Sequence, residues 1–262
     1  MDFFRHSTEL MGRWDKKIGV YRSIAESHAP IQARPFSSTA RNIHQKPLDD
    51  AARLGVALSR LVLLRHGQSL WNRERRFTGW TDIDLSFQGI EEARDAGRIM
   101  KRAGITIDVA YTSLLKRAIR TMWIVLDEMD LTRIPVIMSW RLNERAYGDF
   151  EGRSLDEAEE LYGAEQVRRW RKGFCHHFPA PSSESLKDVQ ERLLPLWQGQ
   201  IAADLKKGRG VLVVSHGNTI RALVKHIEEI SDQNIEELEV HTASPLLYEL
   251  DGRLKPMKRI DL

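Results

Sequence analysis

Two short, wholly apolar runs constrain this chain more than any other feature. Leu61-Val-Leu-Leu64 reads as a short buried strand, and Val211-Leu-Val-Val214 reads as a strand apolar enough to be central and buried on both faces. Each ends in the same kind of signal: Arg65-His66-Gly67 follows the first and His216-Gly217-Asn218 the second. In an open α/β sheet, ligands bind in the crevice outside the carboxyl ends of the strands. A lone loop histidine is more often structural, with its hydrogen bonds satisfied. Two His-Gly pairs, each straight after an apolar strand, point instead to a shared site. A cation and an imidazole there suit an anionic substrate. The glycines are expected where backbone must approach a ligand or adopt positive φ. The second pair also opens a helix, whose free N–H groups favour an anion.

The segments between these runs alternate helical and strand periods. Ser86 caps a helix expected over 87–103, with Ile90, Ala93, Gly97 and Met100 facing inward. A strand at 108–111 leads to a helix starting at Thr112 or Ser113 and running to 129. It should bury Leu114, Ala118, Met122, Val125 and Met129. A strand is expected at 135–138, then short helices at 154–161 and 164–172 separated by Gly163. A longer helix over 184–205 contains Pro195, which must kink or divide it. A helix at 219–229, a short helix near 231–237, a strand at 246–250 and a turn at Asp251-Gly252 close the domain. The pattern predicts a three-layer α/β/α fold with a mainly parallel central sheet.

Residues 1–58 lack this regularity and read as an N-terminal extension to a catalytic domain at 59–262. Ala33-Arg-Pro-Phe-Ser-Ser-Thr-Ala-Arg41 is rich in Ser, Ala and Arg without an acid, like a mitochondrial presequence, and Arg34-x-Phe36-Ser37 resembles a processing site. Asp2, Glu9, Asp15 and Glu26 lie upstream, which presequences usually avoid. Cytoplasmic and mitochondrial addresses therefore both stand. The net charge of +3, without a lysine- or arginine-rich block, gives no nucleic-acid footprint. The apolar runs are too short to span a bilayer. Cys175 is the only cysteine, so no internal disulfide forms, and no Cys/His cluster has zinc spacing. The expected partner is a small molecule, with neither nucleic acid nor membrane.

Arg65-His-Gly-Gln-Ser-Leu-Trp-Asn72 resembles the signature of the histidine phosphatase superfamily. Phe77-Thr-Gly-Trp80, Tyr111-Thr-Ser-Leu-Leu-Lys-Arg-Ala118, Leu142-Asn-Glu-Arg-Ala-Tyr-Gly148 and Ser215-His-Gly-Asn-Thr-Ile-Arg-Ala-Leu223 narrow the likeness to its 2,3-bisphosphoglycerate-dependent phosphoglycerate mutases. The resemblance spans residue 61 to the C-terminus and implies the mutase-like fold. It implies interconversion of 3- and 2-phosphoglycerate, primed by 2,3-bisphosphoglycerate and needing no metal, in a protein that is commonly a homodimer or homotetramer. It makes His66 the phosphorylated nucleophile, flanked by Arg65 and Arg117, with His216 donating to the phosphoryl oxygens. Glu144 becomes the proton donor and acceptor. Asn72, Gly217 and Asn218 complete the phosphoryl cradle, and Thr78, Gly79, Arg145, Tyr147, Arg171 and Lys172 bind substrate.

The sequence departs from that pattern in two places that grip the substrate. Leu155 stands where the family usually has a lysine, with Arg153 nearby as a substitute. Lys172 stands where the family has the second of two arginines, which loses the bidentate fork. These departures leave open a broader phosphatase, in which water intercepts the phosphohistidine, and a non-catalytic binding module on the same fold.

Overall fold

The computed structural model describes residues 58–262. The expectations for the N-terminal extension, including its targeting, fall outside the described residues. The elements are β1 (Ser59–Arg65), α1 (Leu70–Arg73), α2 (Phe87–Arg102), β2 (Val109–Thr112), α3 (Lys116–Glu128) and β3 (Val136–Met138). They continue with α4 (Leu155–Tyr162), α5 (Ala164–Lys172), α6 (Leu186–Leu196), α7 (Ala202–Lys206), β4 (Val211–Ser215), α8 (Gly217–Ile227), β5 (Pro245–Leu250) and β6 (Pro256–Asp261).

One six-stranded sheet carries the fold, in the order β3-β2-β4-β1-β5-β6. The first four of these strands run parallel, with Leu61 opposite Val211 and Val109 opposite the same residue on the other side. β5 is antiparallel to β1 and β6 antiparallel to β5. The apolar runs 61–64 and 211–214 are wholly buried because both faces of the sheet are covered. Leu61, Leu63, Val211 and Val213 pack against α6 and α8 through Leu193, Leu223 and Val224. Val62, Leu64, Leu212 and Val214 face the opposite way, onto Met100 of α2 and Met122 and Val125 of α3. Alternation along each strand thus builds the three expected layers. A third, mainly aromatic cluster of Phe77, Tyr147, Phe150 and Phe178 supports α4 and α5.

Several expectations need correction. The helix expected from residue 112 or 113 starts at Lys116. Thr112 stays in β2, its hydroxyl donating to the Val214 carbonyl, and Leu114 is exposed rather than buried. In α2 the buried positions include Ala96, while Ile90 is only half-buried. Pro195 divides the long helix: a π-turn at Trp197–Ile201 separates α6 from α7, as a missing N–H and a crowding ring favour. α8 begins at Gly217, two residues earlier than expected. The domain does not close at Asp251-Gly252, because β6 follows. Its Lys258 and Arg259 mask the strand pattern and suit an exposed sheet edge. Among the described residues no helix is long and apolar enough to cross a membrane.

Candidate active site

The adjacent strands β1, β2 and β4 end side by side and deliver the chemistry. The His66 N–H donates to the Ser215 carbonyl at 2.9 Å, continuing the β1–β4 ladder one step past the strand. The His66 and His216 rings meet edge-to-face, with centroids 5.0 Å apart. Ser113, just beyond β2, holds His216 through a 2.8 Å contact between Oγ and Nε2. His66 lines a cleft of about 390 Å³, and His216 is wholly buried behind it.

The environment holds His66 neutral. Burial, and then the Arg117 and Arg65 guanidiniums, push its pKa well below the ordinary histidine value. His66 Nδ1 lies 2.7 Å from the Gly67 carbonyl oxygen, which only a protonated nitrogen can satisfy. Nε2 is therefore left with the lone pair. Burial and Arg117 likewise push His216 well below its ordinary value. His216 Nδ1 has no partner among the described residues.

The flanking cations are set by backbone carbonyls. Arg65 donates to Val240 O at 2.8 Å, while its buried Nε has no partner among the described residues. Arg117 donates to Gly79 O at 2.7 Å and Thr81 O at 3.0 Å, and burial pushes it down to about 10, so it remains charged at neutral pH. The loop it grips is fixed by Glu151, whose carboxylate accepts from Trp80 N, Thr81 N and the Thr81 hydroxyl. Gly79 has φ +52°, and a Cβ there would lie 1.9 Å from the Glu151 carboxylate, so the position demands glycine. At the two His-Gly pairs the expected positive φ is not found. Gly67 is needed because its Cβ would meet Gly89 O of α2 at 2.1 Å. A Cβ at Gly217 would find only ordinary contact, 3.5 Å from Arg65 Nε.

Glu144 sits at the start of α8. Its Oε1 accepts the Arg145 N–H at 2.8 Å and the Asn218 N–H at 3.2 Å, while Oε2 has no hydrogen bond among the described residues. The Trp80 indole and Arg192 both donate to its backbone carbonyl and hold it in place. Tyr147 Oη accepts from Asn218 Nδ2 at 3.0 Å. Asn72, Thr78, Gly79, Tyr147, Arg171, Lys172, Gly217 and Asn218 all line the cleft. Leu155 lines it too, as an apolar patch of wall.

Arg145 does not line the cleft. It is fully buried, stacked on Tyr147 and Phe178, and donates to the carbonyls of Trp170 and Arg171 in the last turn of α5. Arg153 does not replace the missing lysine either; it lies over Phe150 and bonds the Asp149 carbonyl. Arg75, Arg76, Arg221 and Glu239 line the cleft without having been singled out. Arg221 was legible, one helical turn after Gly217 on the same face of α8. Arg75 and Arg76 lie in the basic run that follows Asn72. Nothing local in the sequence marks Glu239. No group of three or more His, Cys, Asp or Glu among the described residues could hold a metal ion.

The model of the histidine phosphatase superfamily (branch 1) matches residues 61–261. The chain belongs to that superfamily. Among solved structures it is similar to a mycobacterial glucosyl-3-phosphoglycerate phosphatase in complex with VO3, at 28% identity over 72% of this chain and 92% of that one, with a TM-score of 0.62. It is also similar to Bacillus stearothermophilus YhfR, at 28% identity over 74% of this chain and 92% of that one, with a TM-score of 0.64. The Shigella flexneri alpha-ribazole phosphatase, at 21% identity over 78% of this chain and 96% of that one, shares the fold with a TM-score of 0.65.

Proposed function

We propose that this protein is a phosphatase of small phosphomonoesters working through a phosphohistidine at His66. The observation that carries this reading is a neutral His66, its Nδ1 fixed by the Gly67 carbonyl, on a cleft lined by Arg65 and Arg117. The glucosyl-3-phosphoglycerate phosphatase among its structural relatives supports it. His66 Nε2 attacks phosphorus and the P–O ester bond breaks. A proton on Glu144 Oε2 passes to the departing oxygen. Arg65, Arg117 and His216 Nδ1 donate to the phosphoryl oxygens as charge spreads onto them, and such preorganised donors commonly contribute about 3–4 kcal/mol each. Glu144 then takes a proton from water, which attacks the phosphohistidine and restores neutral His66 with release of phosphate.

Phosphoglycerate mutase activity is the second reading. Its motifs support it, as does the presence of Arg171 and Lys172 on the cleft wall facing a second anionic group. In that reading 2,3-bisphosphoglycerate primes His66, and the substrate hydroxyl takes the place of water.

One assay separates the two. Phosphate release from a phosphomonoester panel is followed alongside exchange between 3- and 2-phosphoglycerate primed with 2,3-bisphosphoglycerate. Phosphate release without exchange is expected, and primed exchange faster than phosphate release would overturn the phosphatase reading in favour of the mutase. His66→Ala should abolish both phosphate release and covalent labelling from a radioactive phosphate donor. Labelling equal to wild type would refute the nucleophile.

A further inference from the structure

We infer that Glu239 is a specificity-determining residue that turns the far end of the cleft away from a second phosphate and toward hydroxyl groups. The inference rests on the phosphatase reading and names the substrate class: phosphomonoesters of sugars or other polyols.

Charge in the cleft is unevenly distributed. Around His66, Arg65 and Arg117 outnumber the single carboxylate Glu144, and their hydrogen bonds run to backbone carbonyls rather than carboxylates. At the far end most of the cations are matched by acids. Lys172 pairs with Glu239, Arg75 with Asp156 at 2.9 Å and Arg76 with Glu74 at 3.0 Å, while Arg171 and Arg221 are without an acidic partner among the described residues. One end of the cleft therefore presents unpaired cations to a phosphoryl dianion, whereas at the other, three of the five cations are already paired with acids.

Glu239 differs from the other two acids in lining the cleft itself. Its backbone neighbour Val240 holds Arg65, so one two-residue segment touches both ends of the site. The Glu239 side chain is 63% exposed and the Lys172 side chain only 22%, so the carboxylate is the accessible partner of the pair. An ion pair this exposed is weak and a ligand can compete for it. A second phosphate reaching Lys172 must displace Glu239 and then sit beside a freed carboxylate of like charge. A hydroxyl need displace nothing, because a carboxylate is purely an acceptor and a hydroxyl supplies the donor. Leu155, in the same wall, adds apolar surface where a further cation would have favoured an anion.

The test uses a matched pair of probes, fructose 6-phosphate and fructose 1,6-bisphosphate, bound calorimetrically to the full chain. Binding does not require turnover, so this result is independent of the phosphatase reading, which stands or falls on His66-dependent phosphate release. Wild type should bind the monophosphate at least as tightly as the bisphosphate. Glu239→Gln should shift the ratio of the two affinities about tenfold toward the bisphosphate, and Glu239→Asp should restore the wild-type ratio. A ratio in Glu239→Gln within twofold of wild type would overturn the inference, as would tighter binding of the bisphosphate by wild type.

Discussion

His66 and His216 are wholly buried and neutral, and that state has a thermodynamic consequence. An unfolded histidine titrates near its ordinary value of about 6.5, whereas burial and the neighbouring arginines hold both folded values well below it. Between those values the unfolded chain binds protons that the folded chain excludes. Stability is therefore lost as pH falls through about 6.5, by up to about 1.4 kcal/mol per pH unit for each histidine, and is insensitive to them above about 7.5. Urea unfolding should give a lower free energy at pH 5.5 than at pH 7.5. His66→Gln should narrow that gap, and an unchanged gap would mean that His66 is protonated in the folded protein. The sequence placed both histidines at strand ends but could not show their neutrality, which comes first from burial and then from Arg117, brought in by a different element.

The α5 helix shows how an element can be legible while its attachment is not. Its span and the role of Gly163 before it were readable from spacing, and Gly163 indeed has φ +82°. Its carboxyl end, which carries Arg171 and Lys172 into the cleft, is held by two buried arginines from elsewhere. Arg145 donates to Trp170 O and Arg171 O, and Arg221 donates to Lys172 O at 2.7 Å. Those carbonyls are the ones a helix leaves unpaired at its end, so cations there satisfy both hydrogen bonding and the helix dipole. Arg145 therefore braces the end of α5 that carries Arg171 and Lys172 rather than lining the cleft, and a motif read one residue at a time cannot distinguish the two. Arg145→Ala should leave carbonyls unpaired and a void against Phe178, lowering stability by about 2–4 kcal/mol. In the folded fraction, KM should rise several-fold while phosphorylation of His66 at saturating substrate changes less. Arg145→Lys, which keeps one donor, should recover part of the KM. A loss confined to kcat would place Arg145 at the phosphoryl group instead.

The whole molecule gathers its chemistry through strand order. Because β4 lies between β2 and β1, residues 66, 113 and 216, distant in the chain, converge at the carboxyl ends of those three strands. The apolar runs and the polar residues after them made this convergence readable. The far wall was less readable because it is built from loops and the rim of α4 and α5, where pairings such as Lys172 with Glu239 obey no period. The chain as a whole is only slightly basic, at +3, yet Arg65, Arg75, Arg76, Arg117, Arg171, Lys172 and Arg221 line the cleft against only Glu144 and Glu239. That arrangement should draw in a phosphate dianion by local field rather than by net charge. Raising sodium chloride from about 20 to about 200 mM shortens the screening length from about 20 Å to about 7 Å. It should lower kcat/KM for a phosphomonoester about three- to tenfold, because capture of the free dianion is what the field assists. The rate at saturating substrate should hardly move, since Arg65 and Arg117 are buried or nearly so and screened far less than surface charges. A kcat/KM that stays flat across this range would show that capture does not depend on the cleft's charge, and that the arginines act only after the phosphoryl group has arrived.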